Sequence, residues 1–537
     1  MNSLRHSRPS RLAALIALGF AAIAPNAFAQ YSPSAPARPF PGYFNEYFRS
    51  ADAYRSNWDI GVNVRERLES KDDAGFTYTG QNADFRLNGP GTTVDNNNSY
   101  LLLRFMPRVG YTDKWFAFTI EGRASATAGD ERGNQRLAAD VNKPGRALAE
   151  NDRDVNLHQA FVFVGNHKEF PVSLKLGRQE LVYGEQRLLG HFRWNNNART
   201  FDALKLRWQN PLFGVDAFTG GLVYNDNHNF NKSHIKQDHF SGLYFNFPTI
   251  PKLSASNLVE AFIYSRNVTV GSARVNVDPN NNPYAGVAAP FRNPAKQDLY
   301  TAGLRLKSKP LAYGAWDYGG ELMHQFGNRA NTGPVALSAA VASAVRLHQD
   351  AYAAVLAGGY TWTESAWQHR LGLTYSYASG DKRATDQTSQ TFQNLFATTH
   401  LHYGYMDLNS LQNLDDYRLT YSFKPKPNLS INLDYHFHRL ARTTDSWYNV
   451  AGVARAGGGA NLGTGYAISP NFSKGLGQEI DLVAGWHVIP STQIELGVSR
   501  YFRGSYVKQS LSTLGSKDAN YAYLHTRFVM NPIHVVI

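Results

Sequence analysis

Trp58, Ile60, Val62 and Val64 alternate with Asp59, Gly61, Asn63 and Arg65, the period-two pattern of a strand with one apolar and one wet face. The same alternation predicts strands over 100–111, 115–126, 155–165, 172–180, 200–209 and 213–225. It continues over 239–247, 257–266, 299–307, 315–326, 351–362 and 367–378, and then over 415–423, 429–438, 478–488, 492–502 and 521–530. With the first strand these make about 18, an even number.

The connections matter more than any single strand. Thr112-Asp113, Asn210-Pro211, Ile489-Pro490 and Lys424-Pro425-Lys426-Pro427 are short breaks, and between them lie long inserts rich in Asn, Gly and Asp. Short and long alternate, as expected of a transmembrane antiparallel β-barrel with tight periplasmic turns, long extracellular loops and both termini in the periplasm. A soluble β-sandwich would not sort its connections this way. In hydrocarbon every backbone N–H and C=O needs a partner, so the last strand must pair with the first. Ala522, Leu524, Thr526, Phe528 and Met530 supply its lipid face. The fold class predicted is therefore all-β, a closed barrel in the outer membrane.

A hydropathy scan misses such a chain, whose mean hydropathy is −0.40, because a barrel strand needs only about 10 residues and half of them face water. The N-terminus carries Arg5, Arg8 and Arg11, an apolar run over 12–24, and Ala27-Phe28-Ala29. These are the three parts of a cleavable export signal, and the run is shorter than the about 20 residues of a spanning helix. The expected division is a signal peptide over 1–29, a periplasmic segment over 30–56 and the barrel over 57–537. An energy-coupled receptor would need a larger plug before its first strand.

Cysteine is absent, which removes thiol chemistry and Cys metal sites. Aromatic residues make up 13%, with 30 Tyr and 31 Phe, suited to rings at both membrane boundaries. The net charge of +12 is spread along the chain. It points to an anion-attracting surface or lumen and away from a nucleic-acid patch.

Two blocks carry a family resemblance. The first is Gly177-Arg178-Gln179-Glu180-Leu181, then Gly184-Glu185-Gln186-Arg187-Leu188-Leu189-Gly190, then Arg199-Thr200-Phe201-Asp202-Ala203. The second runs from Ser379-Gly380-Asp381 to Phe392-Gln393-Asn394-Leu395-Phe396 and His402-Tyr403-Gly404-Tyr405-Met406-Asp407. Together they resemble the alginate-export family of outer-membrane porins. The resemblance implies a monomeric 18-stranded channel through which a polyuronate leaves the cell, with arginines and lysines drawing the chain and a few acids modulating passage. It implies lipid, lipopolysaccharide and the barrel assembly machinery as partners.

Strand parity turns Arg65, Arg67, Arg104, Arg108, Arg123, Lys175, Lys205, Arg207, Arg305, Lys307, Arg370, Arg418 and Arg527 inward. Asp59, Glu121, Asp317, Glu321, Asp434, Asp481 and Glu495 share that face. Arg178 falls on the lipid side by strict alternation, and a bulge at Gly177 is expected to return it to the lumen. The loops 181–199 and 380–414 are expected to fold inward and narrow the pore. Arg187 and Arg193 of the first, with Glu180 and Glu185, complete the expected pore-lining set of Arg65, Arg104, Arg123, Arg178, Arg207, Arg305, Arg370 and Arg418.

No cofactor is expected. Asp72-Asp73 with the Asp-Asn-Asn-Asn run over 95–98 is a candidate loop calcium site; Asp434, His436 and His438 share a face at metal-ligand spacing but are read as plain lumen lining, and no metal site is expected there. Neither a nucleotide loop nor a nucleophile elbow is present. The functions left are passage of an anionic polysaccharide or oligosaccharide, a porin selective for small organic anions, and, from another class, a barrel hydrolase with a Ser–His–acid group at one rim.

Overall fold

The computed structural model describes residues 57–74, 97–129, 152–166, 168–224, 238–269, 297–330, 346–383, 386–450, 468–489 and 491–530, with short stretches between them. The expected signal peptide and the segment over 30–56 lie outside the described residues.

Eighteen strands of eight residues or more form the wall among the described residues. The first six are β1 (Trp58–Asp72), β2 (Asn98–Thr112), β3 (Phe116–Ala128), β4 (Asp152–Gly165), β5 (Val172–Gln179) and β6 (Phe201–Gln209). Next come β7 (Gly214–Tyr224), β8 (Asp238–Asn246), β9 (Asn257–Val268), β10 (Gln297–Ser308), β11 (Trp316–Ala330) and β12 (Arg346–Thr361). The last are β13 (Arg370–Ala378), β14 (Leu414–Lys426), β15 (Leu429–Leu440), β16 (Gly475–Ile489), β17 (Thr492–Arg503) and β18 (Ala519–Met530). Each pairs antiparallel with its neighbours in sequence, and β18 closes on β1 from Val62↔Met530 to Asp72↔Asn520. Among the described residues the wall has no free edge, which is the condition for strands to cross hydrocarbon.

Every predicted strand has one counterpart, and the connections alternate long and short around the ring. Several strands outrun their prediction. β1 continues to Asp72 and β12 begins at Arg346, because beyond the hydrocarbon both faces are polar and the alternation that marks a strand disappears while the ladder continues. The expected break over 424–427 is partly strand, since β14 runs to Lys426 with a register shift between Phe423 and Lys426. Pro425 lies inside that shift, where its missing N–H costs no ladder bond.

The outward face is apolar. Leu304 is 63% exposed while its neighbour Arg305 is 7% exposed, the reverse of a soluble protein. Leaving a leucine in water forfeits about 1.5–3 kcal/mol, so a surface of such residues requires lipid around it. Rings gather at the short-turn end, where Trp58 meets Tyr111 at 5.4 Å, Trp316 meets Tyr360 at 4.8 Å and Trp367 meets Phe423 at 5.7 Å. Their amphipathic edges suit the membrane boundary.

Gly177 is required where β5 meets β4. Its φ is +124°, and an added Cβ would lie 2.2 Å from the Ala160 carbonyl oxygen. Gly177→Ala is expected to cost more than about 1 kcal/mol, read as a lower urea midpoint of the barrel in lipid. Gly319→Ala, whose Cβ would find nothing nearer than 3.8 Å, is expected to leave the midpoint in place.

Candidate functional site

The inner wall carries an unusual rung. Arg527 of β18, Arg65 of β1 and Arg104 of β2 are direct cross-strand partners, although like charges placed opposite one another repel. Arg67 and Arg123 lie on the same inner face, and Arg65, Arg67, Arg104 and Arg123 are all buried. They are buried because a loop is folded against them.

That loop is 180–200. Arg65 donates to the carbonyl oxygens of Arg193 (2.6 Å) and Trp194 (3.0 Å) and to Asn196 Oδ1 (2.7 Å). Arg67 donates to Trp194 O at 2.7 Å and lies 3.7 Å over the Trp194 ring. Arg104 reaches Arg193 O at 3.0 Å, and Arg123 reaches Asn197 O. The loop's other end grips β10 and β11, where Glu185 contacts Arg305 and accepts from Lys307 at 2.7 Å, and Arg187 lies 3.6 Å from Glu321. In an eighteen-strand ring β1 and β10 are half a turn apart, so the loop crosses the bore.

Glu180 anchors the loop at its base. Its carboxylate accepts two bonds from Arg193, at 2.8 and 3.0 Å, and contacts His158 Nε2 at 3.0 Å. Burial opposes its ionisation, but Arg193 and His191 outweigh that and hold the carboxyl well below the usual range.

The loop over 379–413 locks onto the first. Leu189 and Phe396 form a short parallel bridge, with Phe396 N donating to Leu188 O at 2.9 Å and Gly190 N to Phe396 O at 3.0 Å. Arg199 donates to Phe396 O and, at 3.1 Å, to Ala397 O. His402 Nε2 donates to Glu185 O at 2.7 Å, which fixes the Nε2–H tautomer. Burial, with Arg187 and Arg418 nearby, pushes this imidazole well below its usual range and keeps it neutral. The Trp194 and His400 rings stack at 3.7 Å. Gly404, at φ +95°, brings the turn against the wall, where Met406 N donates to Glu479 Oε1 at 2.8 Å.

A third segment, over residues 441–450, packs against the 379–413 loop. Asp445 accepts from Asp381 N (2.9 Å), Thr391 Oγ1 (2.6 Å) and Tyr448 OH (2.8 Å), and Trp447 Nε1 donates to Asn409 at 2.9 Å. A buried apolar cluster consequently sits within the barrel and includes Leu181, Leu188, Phe392, Phe396, Met406 and Trp447.

Of the expected pore-lining set, Arg65, Arg104 and Arg123 hold the loop, and Arg418 donates to Leu401 O at 3.2 Å. Arg207 pairs with Asp216 at 2.7 Å and Arg370 with Asp317 at 2.6 Å, as braces within the wall. Arg305, Arg187, Arg193, Glu180 and Glu185 form the loop contacts above. Arg178 is the correction. The ladder runs unshifted from Leu176↔Leu204 to Arg178↔Asp202, so no bulge turns it inward. It stays on the outer face in a two-bond pair with Asp202, at 2.8 and 3.1 Å. Gly177 absorbs the local geometry by its φ instead of by an extra residue.

The calcium candidate fares poorly. Asn97 Oδ1 accepts from Asp73 N at 2.9 Å and the Asp73 carboxylate lies 3.5 Å from Lys517, while residues 95 and 96 lie outside the described residues. For the hydrolase alternative, the Ser241–His239 contact of 3.0 Å lies on the outer face, with Thr219 sharing the same ring nitrogen. Asn267, opposite His239 on β9, is engaged by Ser265 and Asp298. The reading from alternation missed Glu479, Asp416 and Asp445, since parity ranks wall positions but does not say which of them meet a loop or one another.

Glu185 gives this clasp a pH dependence. Burial would raise its carboxyl, but Lys307 and Arg305 outweigh burial and hold it at about 2. A depressed value means that the contribution is complete above the ordinary carboxylate range and is lost as pH falls through about 2. Open-channel noise is expected to stay constant on acidification down to about pH 5 and to rise progressively from there to about pH 2. In Glu185→Gln the noise is expected to be high already at neutral pH and insensitive to acid.

The fold is that of known outer-membrane porins. OccK9 (OpdG) of Pseudomonas aeruginosa superposes with a TM-score of 0.52 at 10% identity, covering 89% of this chain and 99% of that one. OccK2 (OpdF) of the same organism, in complex with glucuronate, gives 0.49 at 11% identity, covering 88% and 98%. No curated protein matches the sequence. The alginate export profile matches residues 56–517, a span that takes in β1 to β17 and both interlocked loops. On that match this chain belongs to the alginate export family and is an outer-membrane β-barrel channel.

Proposed function

We propose that the barrel passes an anionic polysaccharide or oligosaccharide, of the polyuronate class, through a lumen narrowed by the 180–200 and 379–413 loops. The observation that carries this reading is the rung Arg527–Arg65–Arg104 with Arg67 and Arg123 beside it. Three guanidinium groups on adjacent strands repel one another, and a fold keeps such a cost where the summed field serves a purpose. Arg104 donates to the neutral carbonyls of Arg193 and Asn195, so these contacts leave its charge uncancelled. A positive wall inside a low-dielectric bore concentrates anions at the constriction. Passage is passive, and the gradient sets its direction.

Oligouronates added to a planar bilayer holding the protein are expected to block current at concentrations where neutral oligosaccharides of equal length do not. Block by monomeric carboxylates as strong as by oligomers would favour a porin for small organic anions. Absence of block by either would overturn the proposal.

A further inference from the structure

We propose that Asp416, His436 and His438 form a binding site for a transition-metal dication on the inner wall, a role separate from passage of the anionic substrate. Asp416 lies on β14, and both histidines lie on the adjacent β15, where alternation sends them to the same inward face. Asp416 and His438 are direct cross-strand partners, with His436 one inward position further along.

The three side chains are buried, and one ligand atom from each lies within 4.8 Å of the other two. His436 Nδ1 is 3.0 Å and His438 Nε2 3.4 Å from the same oxygen, Asp416 Oδ1. Donors of a tetrahedral ion with bonds of about 2.0 Å stand about 3.3 Å apart, so these separations are close to what the ion needs.

Hydrogen bonding satisfies only part of the group. The His436–Asp416 contact accounts for one pair of atoms. Both ring nitrogens of His438 and Asp416 Oδ2 are buried without a hydrogen-bond partner. A neutral imidazole buried with its N–H donor unmet is costly, as is a carboxylate oxygen left bare. A dication bound by the imidazole nitrogens and the carboxylate would draw on both. The His436 and His438 rings lie 4.9 Å apart with planes 21° from parallel, and Tyr501 stacks on His438 at 5.9 Å, so the donors are held in place by packing.

The surroundings place one guanidinium and one carboxyl group beside the site. Arg418 faces His436 from β14 and opposes a cation, whereas Glu479 faces it from β16 with Oε2 buried and unpartnered. Two imidazoles and one carboxylate favour zinc, cobalt, nickel or copper over calcium or magnesium, which prefer an all-oxygen shell.

The test uses the full barrel in detergent, without a polyhistidine tag and stripped by a chelator. Co2+ titration is expected to give visible absorption saturating at one ion per chain and abolished by Zn2+. His438→Asn and Asp416→Asn are each expected to weaken binding at least about tenfold, while His324→Asn, at an exposed site, leaves it unchanged. Cu2+ bound to the unaltered protein is expected to show coupling to imidazole nitrogens in electron spin resonance, which needs no variant to fold. Heat-modifiable gel mobility reports which variants retain the barrel. No cobalt spectrum in the unaltered protein, no nitrogen coupling, or full affinity in a folded Asp416→Asn barrel would overturn the site.

Discussion

Replacing Arg65 and Arg104 together with glutamine is expected to lower the preference for anions over cations on the order of tenfold, read as a shift of the zero-current potential in a salt gradient. Both side chains are inward, buried and opposite each other in the ladder. Their removal takes two adjacent charges from the wall where the 180–200 loop folds against it and leaves the outer face untouched. The same change withdraws donors from the carbonyls of Arg193, Trp194 and Asn195, so some loosening of the loop accompanies it. Arg65→Lys with Arg104→Lys separates the two effects, since it keeps charge while losing the fork geometry that binds several carbonyls. Selectivity retained in the lysine pair and lost in the glutamine pair assigns the effect to charge. Arg178→Gln is the control, because its partner Asp202 lies on the outer face, and selectivity there is expected to be unchanged. Unchanged selectivity in the glutamine pair would remove the basis for the proposed function.

The second large effect is expected from the loop itself. Excising residues 186–198 and joining the ends with a short glycine linker is expected to raise single-channel conductance severalfold. This segment crosses the bore and carries half of the Leu189–Phe396 bridge. Without it the 379–413 loop loses the carbonyls of Gln186 and Leu188 as acceptors for Thr398 N and Phe396 N. A subtler variant, Glu180→Ala, leaves Arg193 without its two-bond partner. Breaking a buried pair from one side costs about 3–5 kcal/mol, here borne by the loop and not by the wall. Frequent switching between conductance levels is expected in place of one wide state. If excision left conductance as it was, the constriction would have to lie elsewhere in the barrel.

The wall was legible in the sequence because its code is local. Each strand needs only alternate residues that prefer lipid and water, so Leu304 beside Arg305 or Ile60 beside Asp59 states its own orientation. Strand closure followed from backbone chemistry alone. The inward folding of the 181–199 and 380–414 loops was readable from family blocks, though not their contacts. Arg178 shows the limit of the pattern: parity placed it correctly, and the bulge invoked to rescue it was not needed by the ladder.

What the sequence determined by itself, then, is the barrel, its lipid face and the inward orientation of many of the wall's charges, because period-two patterning is set residue by residue. Tertiary structure alone decided which charges brace the wall and which hold the loop. It also decided that Leu189 meets Phe396 and that Asp416, rather than Asp434, joins His436 and His438. Those pairings depend on which strands become neighbours and on how far a loop reaches across the ring, neither of which is written in any short stretch of chain.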